Sequence, residues 1–180
     1  MSVDIRPACY ADIAALSRVL DSEAYFTERF ERQKNDRGML LIAWLDGMPV
    51  GDVYLWLDPA EEEDIRKHLP GVALLTHLEV LPEFRNRGIG TKLVEAVEQY
   101  LVEKGREQVA LAVREDNVKA ADLYRRLGYQ DWGHGMLICI AKVPGPDGCP
   151  IDEPELCHIM VKQLHSMSPS SDNTFSNLAS

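Results

Sequence analysis

An apolar run, Leu74-Leu75-Thr76-His77-Leu78-Glu79-Val80-Leu81, is stopped by Pro82 and soon followed by the turn Arg85-Asn86-Arg87-Gly88-Ile89-Gly90. Beyond the turn, Leu93, Val94, Val97 and Leu101 recur at helical spacing, and Gly105 stands where the last turn would stop. The run has strand composition, and Pro82 can neither donate to a ladder nor continue the strand. The order is therefore strand, glycine turn, helix, which sets an α/β architecture. A helix start leaves several backbone N–H groups unpaired, and glycine lets a ligand approach the main chain closely. With two arginines adding charge-assisted donors, the turn suits a ligand that carries a pyrophosphate.

Two familiar phosphate-binding patterns do not fit. A dinucleotide fingerprint needs a third glycine and a later acidic residue, whereas this turn offers Gly88-x-Gly90 alone. A nucleotide P-loop needs Gly-Lys-Ser/Thr after a four-residue spacer, and here Lys92 follows Thr91. The stretch Val80-Leu81-Pro82-Glu83-Phe84-Arg85-Asn86-Arg87-Gly88-Ile89-Gly90 instead resembles the coenzyme A loop of GNAT-type N-acetyltransferases, Arg/Gln-x-x-Gly-x-Gly/Ala after a strand ending in Val-x-Pro. A second block, Asn117-Val118-Lys119-Ala120-Ala121-Asp122-Leu123-Tyr124-Arg125-Arg126-Leu127-Gly128-Tyr129, is similar to the family's Asn-x-x-Ala-x-x-x-Tyr-x-x-x-Gly-Phe/Tyr signature. The resemblance runs from about Asp4 to Leu164, where Cys157–Leu164 looks like the family's last strand.

The resemblance implies a single-domain α/β fold over residues 1–164, a mixed central sheet of six to seven strands flanked by helices, and acetyl-CoA as donor. The coenzyme set it implies is Leu78, Val80, Arg85, Asn86, Arg87, Gly88, Ile89, Gly90, Thr91, Asn117, Ala120 and Tyr124, with the Val80 N–H as donor to the developing oxyanion. Asn117, Ala120 and Tyr124 lie at i, i+3 and i+7 and share one helical stripe, so one ligand can touch all three. In the family's terms Asn117 bonds the pantetheine or pyrophosphate region and the Tyr124 hydroxyl sits near the sulfur. Read from the residues alone, Asn117 is also an N-cap and Tyr124 a half-buried core aromatic.

The remaining elements follow from periodicity and punctuation. A short strand is expected at Val3–Arg6, a helix from Asp12 with Ile13, Leu16, Val19 and Leu20 on one face, and a second helix near Ser22–Asn35. Met39–Leu45 and Val50–Leu57 read as strands joined through Asp46-Gly47, a favoured hairpin turn. Ala60–Leu69 reads as a charged short helix, Gln108–Val113 as a strand and Asn117–Leu127 as a helix. Gly128–Trp132 and Met136–Val143 supply further strand, and the Pro-, Gly- and acid-rich Pro144–Glu155 reads as a loop. Residues 165–180, rich in Ser and Asn, are expected to form a disordered tail.

Acetylation needs a neutral amine, yet a lysine-like amine with a pKa of about 10.4 is protonated at neutral pH, so a base or a water relay is required. His77 and Glu79 alternate with Leu78 and project to one face of the central strand, which makes Glu79 the leading base and His77 the second. Either residue can equally be a packed or ion-paired strand residue. The resemblance implies Tyr124 as the acid that assists the departing thiolate. For the acceptor, Tyr54, Trp56 and Glu79 are the binding candidates, with the acidic run Glu61-Glu62-Glu63-Asp64 as a rim and Trp132-Gly133-His134-Gly135 as a further wall. An aromatic core face followed by a solvated helix explains the same pattern.

Composition bounds the partners. Over 180 residues, 29 acidic against 19 basic side chains leave a net charge of −10, which disfavours nucleic acid and anionic membrane and suits a cationic acceptor. No apolar stretch approaches the roughly 20 residues that cross a bilayer, so a cytoplasmic protein is expected. Cys9, Cys139, Cys149 and Cys157 form no Cys-x-x-Cys pair, so neither a metal site nor a disulfide framework is expected. The functional expectation is direct acetyl transfer from acetyl-CoA to a primary amine of a small cationic metabolite or antibiotic, by a monomer or homodimer. Its alternatives are a protein or peptide N-acetyltransferase and a non-catalytic acyl-CoA sensor.

Overall fold

The structure, a computed structural model, describes residues 2–165. The expected disordered tail, beyond His165, lies outside the described residues. Its strands are β1 (Asp4–Pro7), β2 (Gly38–Leu45), β3 (Met48–Trp56), β4 (Ala73–Val80), β5 (Gln108–Arg114), β6 (Gln130–Asp131), β7 (Leu137–Pro144) and β8 (Pro150–Gln163). Five helices, α1 (Ile13–Leu16), α2 (Glu23–Lys34), α3 (Glu63–His68), α4 (Ile89–Glu103) and α5 (Val118–Arg126), cover the sheet. The strand order is β1-β2-β3-β4-β5-β8-β6, with β7 paired to β8. Only β4 and β5 run parallel; the other pairs are antiparallel. The eight strands exceed the expected six to seven because the segments on either side of Gly133 each pair separately with β8.

Alternation divides the core between the two faces of the sheet. Leu41, Ala43, Val53, Leu55 and Leu75 pack beneath Leu93, Val94, Val97 and Leu101 of α4, with Tyr124 of α5 in the same cluster. On the opposite face, Leu40, Ile42 and Tyr54 meet Leu16 and Phe26 of the first helices, and Leu74, Ala110 and Ile159 meet Ile65 of α3. The expected Asp46-Gly47 hairpin turn has φ +49° and +79° at its two central residues and joins β2 to β3 in the Leu45–Met48 register. One expectation fails. Pro144–Glu155, expected as a loop, is largely strand, because β7 and β8 form a long hairpin from Leu137/Cys157 outward. Over residues 150–156 β8 pairs with β7 alone, so one edge is open and can hold Pro154, whose missing N–H would break an inner ladder.

The first helical region is anchored by charge. Arg6 of β1 makes two hydrogen bonds, of 2.8 and 2.9 Å, to Asp12, whose carboxylate also accepts the Cys9 N–H at 2.8 Å. Bonding to Arg6 outweighs burial and holds the Asp12 pKa at about 2. Gln33 fastens α2 to the sheet by donating to the Ala8 carbonyl and accepting the Leu40 N–H, both at 2.9 Å. These bonds fix the face of α2 that carries Tyr25, Arg29 and Arg32.

The depressed Asp12 pKa means that its stabilisation is present above the ordinary carboxylate pKa of about 3.9 and is lost as pH falls towards about 2. Asp12→Asn should therefore cost about 1–3 kcal/mol at neutral pH, with the deficit shrinking below about pH 4. Urea unfolding of both proteins across that range checks it.

Candidate active site

The parallel pair β4/β5 is joined at three positions only, Ala73, Leu74 and Leu75 against Val109, Ala110 and Leu111. From Thr76 onward β4 has no strand partner on that side among the described residues, while β5 continues to pair with β8 as far as Arg114. The Leu81 N–H donates to the Val50 carbonyl on the β3 side. Because successive N–H groups along a strand alternate in direction, those of Leu78 and Val80 point to the side that β5 has left. A gap thus opens in the sheet, edged by two main-chain donors.

At the end of β4 the chain forms a tight 3₁₀ turn over Pro82–Phe84 and enters the glycine turn. Asn86 (φ +60°) and Gly88 (φ +76°) are both left-handed, which wraps the backbone so that α4 starts beside the gap. No side chain caps α4, and its first internal bond is from the Lys92 N–H to the Gly88 carbonyl. The N–H groups of Ile89, Gly90 and Thr91 therefore have no helical acceptor and face outward. A Cβ on Gly90 would lie 4.0 Å from the Leu78 and Val80 side chains, so the helix start and the end of β4 are neighbours. The Arg85 Nε donates to the Val80 carbonyl at 2.9 Å and braces the turn against the strand, while Arg87 lies over the Phe84 ring. These residues meet the requirements of a pyrophosphate-bearing coenzyme: free N–H groups, positive charge and main chain without bulk.

On α5, Asn117 acts as the N-cap, its side chain accepting the Ala120 N–H at 3.2 Å. Tyr124 is 7 % exposed, packs edge-on against Tyr129 and has its pKa pushed up to about 12 by burial. Its hydroxyl keeps its proton at neutral pH and has that proton available to donate.

The opposite face of β4 carries the titratable groups. A bulge at Thr76 shifts the register between Tyr54/His77 and Leu55/Leu75. It reverses the alternation, turning His77 and Glu79 away from Leu75 and onto the face of α2. There they meet Asp52 of β3, which stands opposite Glu79. The His77 Nε2 lies 3.3 Å from Asp52 Oδ2 and 3.7 Å from Glu79 Oε2. Asp52 is 1 % exposed and neither of its oxygens has an aligned hydrogen-bond donor among the described residues. The Tyr25 ring lies 5.0 Å from the imidazole, and the buried Tyr25 hydroxyl also has no partner among the described residues. Burial lowers the His77 pKa, but contact with Asp52 and the charge of Glu79 outweigh it, so the net shift is upward. Donor atoms of Asp52, His77 and Glu79 all lie within 4.8 Å of one another, close enough to share a proton or enclose a cation. Cysteine spacing gave no hint of this trio. The available signal was an aspartate embedded in an otherwise apolar strand, two positions from Tyr54.

The acceptor residues read from sequence have specific partners. Tyr54 is 0 % exposed: Arg29 covers its ring at 4.5 Å and the Arg32 Nε donates to its hydroxyl at 3.2 Å. Arg32 also stacks on Trp56 at 3.7 Å while paired with Asp58. The aromatic faces expected to receive a cation are thus occupied by the protein's own guanidinium groups, which α2 supplies and periodicity alone did not indicate. Glu79 remains half-exposed. Trp132 and His134 pack with His68 at the end of α3, and the Trp132 indole donates to the Gly135 carbonyl at 2.6 Å. The run Glu61–Asp64 leads into α3, where Glu63 and Asp64 lie in the first turn.

Comparison with known proteins points the same way. The sequence profile of the acetyltransferase (GNAT) family matches residues 6–129. An uncharacterized N-acetyltransferase of Methanocaldococcus jannaschii is 33% identical over 101 residues, 54% of this chain and 42% of that protein. A thialysine N-epsilon-acetyltransferase of Bos taurus is 44% identical over 57 residues, 32% of this chain and 34% of that protein. The chain thus spans less than half the length of these curated relatives. The PaiA N-acetyltransferase of Thermoplasma acidophilum, solved in complex with coenzyme A, shares the fold at a TM-score of 0.63 and 18% identity, over 91% of this chain and 99% of that one. No helix among the described residues is long and apolar enough to cross a membrane.

A Cβ at Gly88 would meet nothing within 4 Å, so the obstacle to substitution there is backbone strain rather than a clash. Gly88→Ala should cost about 1–2 kcal/mol in urea unfolding and, by reshaping the turn, weaken coenzyme A binding by calorimetry. A folded variant with unaltered affinity would remove this turn from the coenzyme site.

Proposed function

Since the chain belongs to the GNAT acetyltransferase family, we propose that it transfers an acetyl group from acetyl-CoA directly to a primary amine of a small molecule. The observation that carries this reading is the gap beside β4. Coenzyme-type donors line one side of it, and a proton-accepting cluster lies on the opposite face of the same strand.

Acetyl-CoA, when bound, supplies an activated acyl carbon as a thioester. The N–H groups of Ile89, Gly90 and Thr91, with Arg85 and Arg87 nearby, would hold its phosphates. Leu78 and Val80 offer fixed main-chain donors in the gap, which stabilise negative charge without reorganising during reaction. Asn117 and Ala120 provide the adjoining stripe of α5. Tyr124 retains its proton and can give it to a departing thiolate. On the other face, His77 and Glu79 are placed to take the proton that an ammonium must lose before its nitrogen can react.

The acceptor class follows from the same cluster. Glu79, half-exposed and free of an arginine partner among the described residues, is the group we assign to the ammonium in place of Tyr54 and Trp56, with the buried Asp52 adding to the negative field from behind His77. The bovine relative is named for thialysine, a small amine, which supports this class over a protein substrate. We assign the reaction to the cell interior, where acetyl-CoA is made.

The deciding measurement is thiol release from acetyl-CoA across a panel of polyamines, basic amino acids, amino sugars and peptide N-termini. Release with the small amines is expected; binding of acetyl-CoA without release by any amine would leave a sensor. Tyr124→Phe should lower kcat about 10- to 100-fold, less than the roughly 100- to 10,000-fold typical of a general acid, because a thiolate with a solution pKa near 8.5 leaves readily. Full activity at every pH would return Tyr124 to packing.

A further inference from the structure

Asp52 is a buried carboxylate with no arginine or lysine against it among the described residues. Among the described residues its one ion-pair contact is His77, and it stands on the strand next to that residue rather than on β4. Removing a carboxylate from water without a hydrogen-bonded counter-charge costs several kcal/mol, so the position demands an explanation that packing does not give. The groups facing His77 are Asp52 and Tyr54 from β3, Glu79 from β4, and Tyr25 and Arg29 from α2. Tyr25 lies against the ring, and the two carboxylates lie against one nitrogen, Nε2.

We infer that Asp52 is a positioning residue for the acetyl transfer: its buried charge, 3.3 Å from His77 Nε2 though not aligned as a hydrogen bond, favours the proton on Nε2 and leaves Nδ1 as the basic nitrogen. This rests on the acetyltransferase reading above. In the step it supports, an N–H bond of the acceptor ammonium breaks, the proton moves to Nδ1 of neutral His77, and the amine keeps the electron pair with which it attacks. The imidazolium so formed retains Nε2–H towards Asp52, whose charge balances it. Glu79, half-exposed and 3.7 Å from the same Nε2, holds the ammonium near the ring and adds to the negative field. Asp52 touches neither substrate nor coenzyme; it works through His77 alone, as the orienting carboxylate of a base does.

Three readouts test this. Nitrogen NMR of the wild-type imidazole should show His77 neutral at high pH as the Nε2–H tautomer; the Nδ1–H tautomer would overturn the assignment, and this measurement needs no variant. Asp52→Asn, which keeps the shape and removes the buried charge, should move the His77 titration and the acid limb of the pH–rate profile to lower pH by about one unit. It should also reduce kcat/KM by about 10- to 100-fold while leaving coenzyme A affinity unchanged. In a His77→Gln background the same substitution should have less than a threefold effect, since the two residues act as one unit. Equal losses in both backgrounds, or an unmoved pH profile, would show a structural role only. A wild-type rate abolished by chelation and restored by zinc would also overturn it, because Asp52 would then be a ligand. Failure of every amine to release thiol in the wild type rejects the acetyltransferase reading itself, whatever the imidazole titration shows.

Discussion

The proposed site depends on how little of β4 is paired with β5. Three residues of parallel ladder are enough to hold the two halves of the sheet together, since both strands are anchored on their other sides by β3 and β8. The remainder of β4 exposes main-chain groups that a closed sheet would have consumed. In a domain interior such unpaired N–H and C=O groups are costly, so their persistence is a structural signature of a site. The Val80 carbonyl is satisfied by Arg85. That bond ties the glycine turn to the strand end, so the helix start and the strand donors form one rigid rim.

The bulge at Thr76 is the second half of the same device. Strict alternation along Leu74–Val80 would put His77 on the face of Leu75, inside the core beneath α4. One extra residue in β4 returns Leu78 and Val80 to that core and sends His77 and Glu79 to the face of Asp52 and Tyr54. Coenzyme-type donors and titratable groups thus come from alternate residues of a single strand, separated by the thickness of the sheet. On the proposed function this would let donor and acceptor approach the gap from opposite faces of the sheet.

Much of this was legible in the chain. Arg85–Gly90 and Asn117–Tyr129 are local motifs whose physics is complete within a dozen residues: a helix start, a glycine with positive φ, a stripe on one helix. Sequence alone marks them, and the structure puts them where they were expected. His77 and Glu79 were also correctly assigned to a shared face, because the bulge lies before them and leaves their mutual alternation intact. Asp52 could not be found in this way. Its meaning depends on the β3/β4 register, a non-local quantity that no single-strand periodicity encodes. The Pro144–Glu155 segment was misjudged for a related reason: Pro and acidic residues argue against an inner strand, but not against one edge of a two-stranded ribbon.

The arginines of α2 show why composition alone ranks acceptors poorly. A net charge of −10 and the pair Tyr54/Trp56 suggest an aromatic trap for a cation. Instead, Arg29 and Arg32 lie on those rings, and Asp58 neutralises Arg32. Cation–π attraction of roughly 1–2 kcal/mol per desolvated pair is thereby used internally, to lock α2 against β3. Local charge at the mouth of the site then differs from the average: Arg29 adds positive potential beside a cluster dominated by Asp52 and Glu79. On the proposed function an ammonium would be drawn to the carboxylates, beside an Arg29 that is itself paired with Glu28. The rest of the acceptor would then meet α2, where Glu28 offsets Arg29, so the local pairing of charges and not the overall charge would define the acceptor.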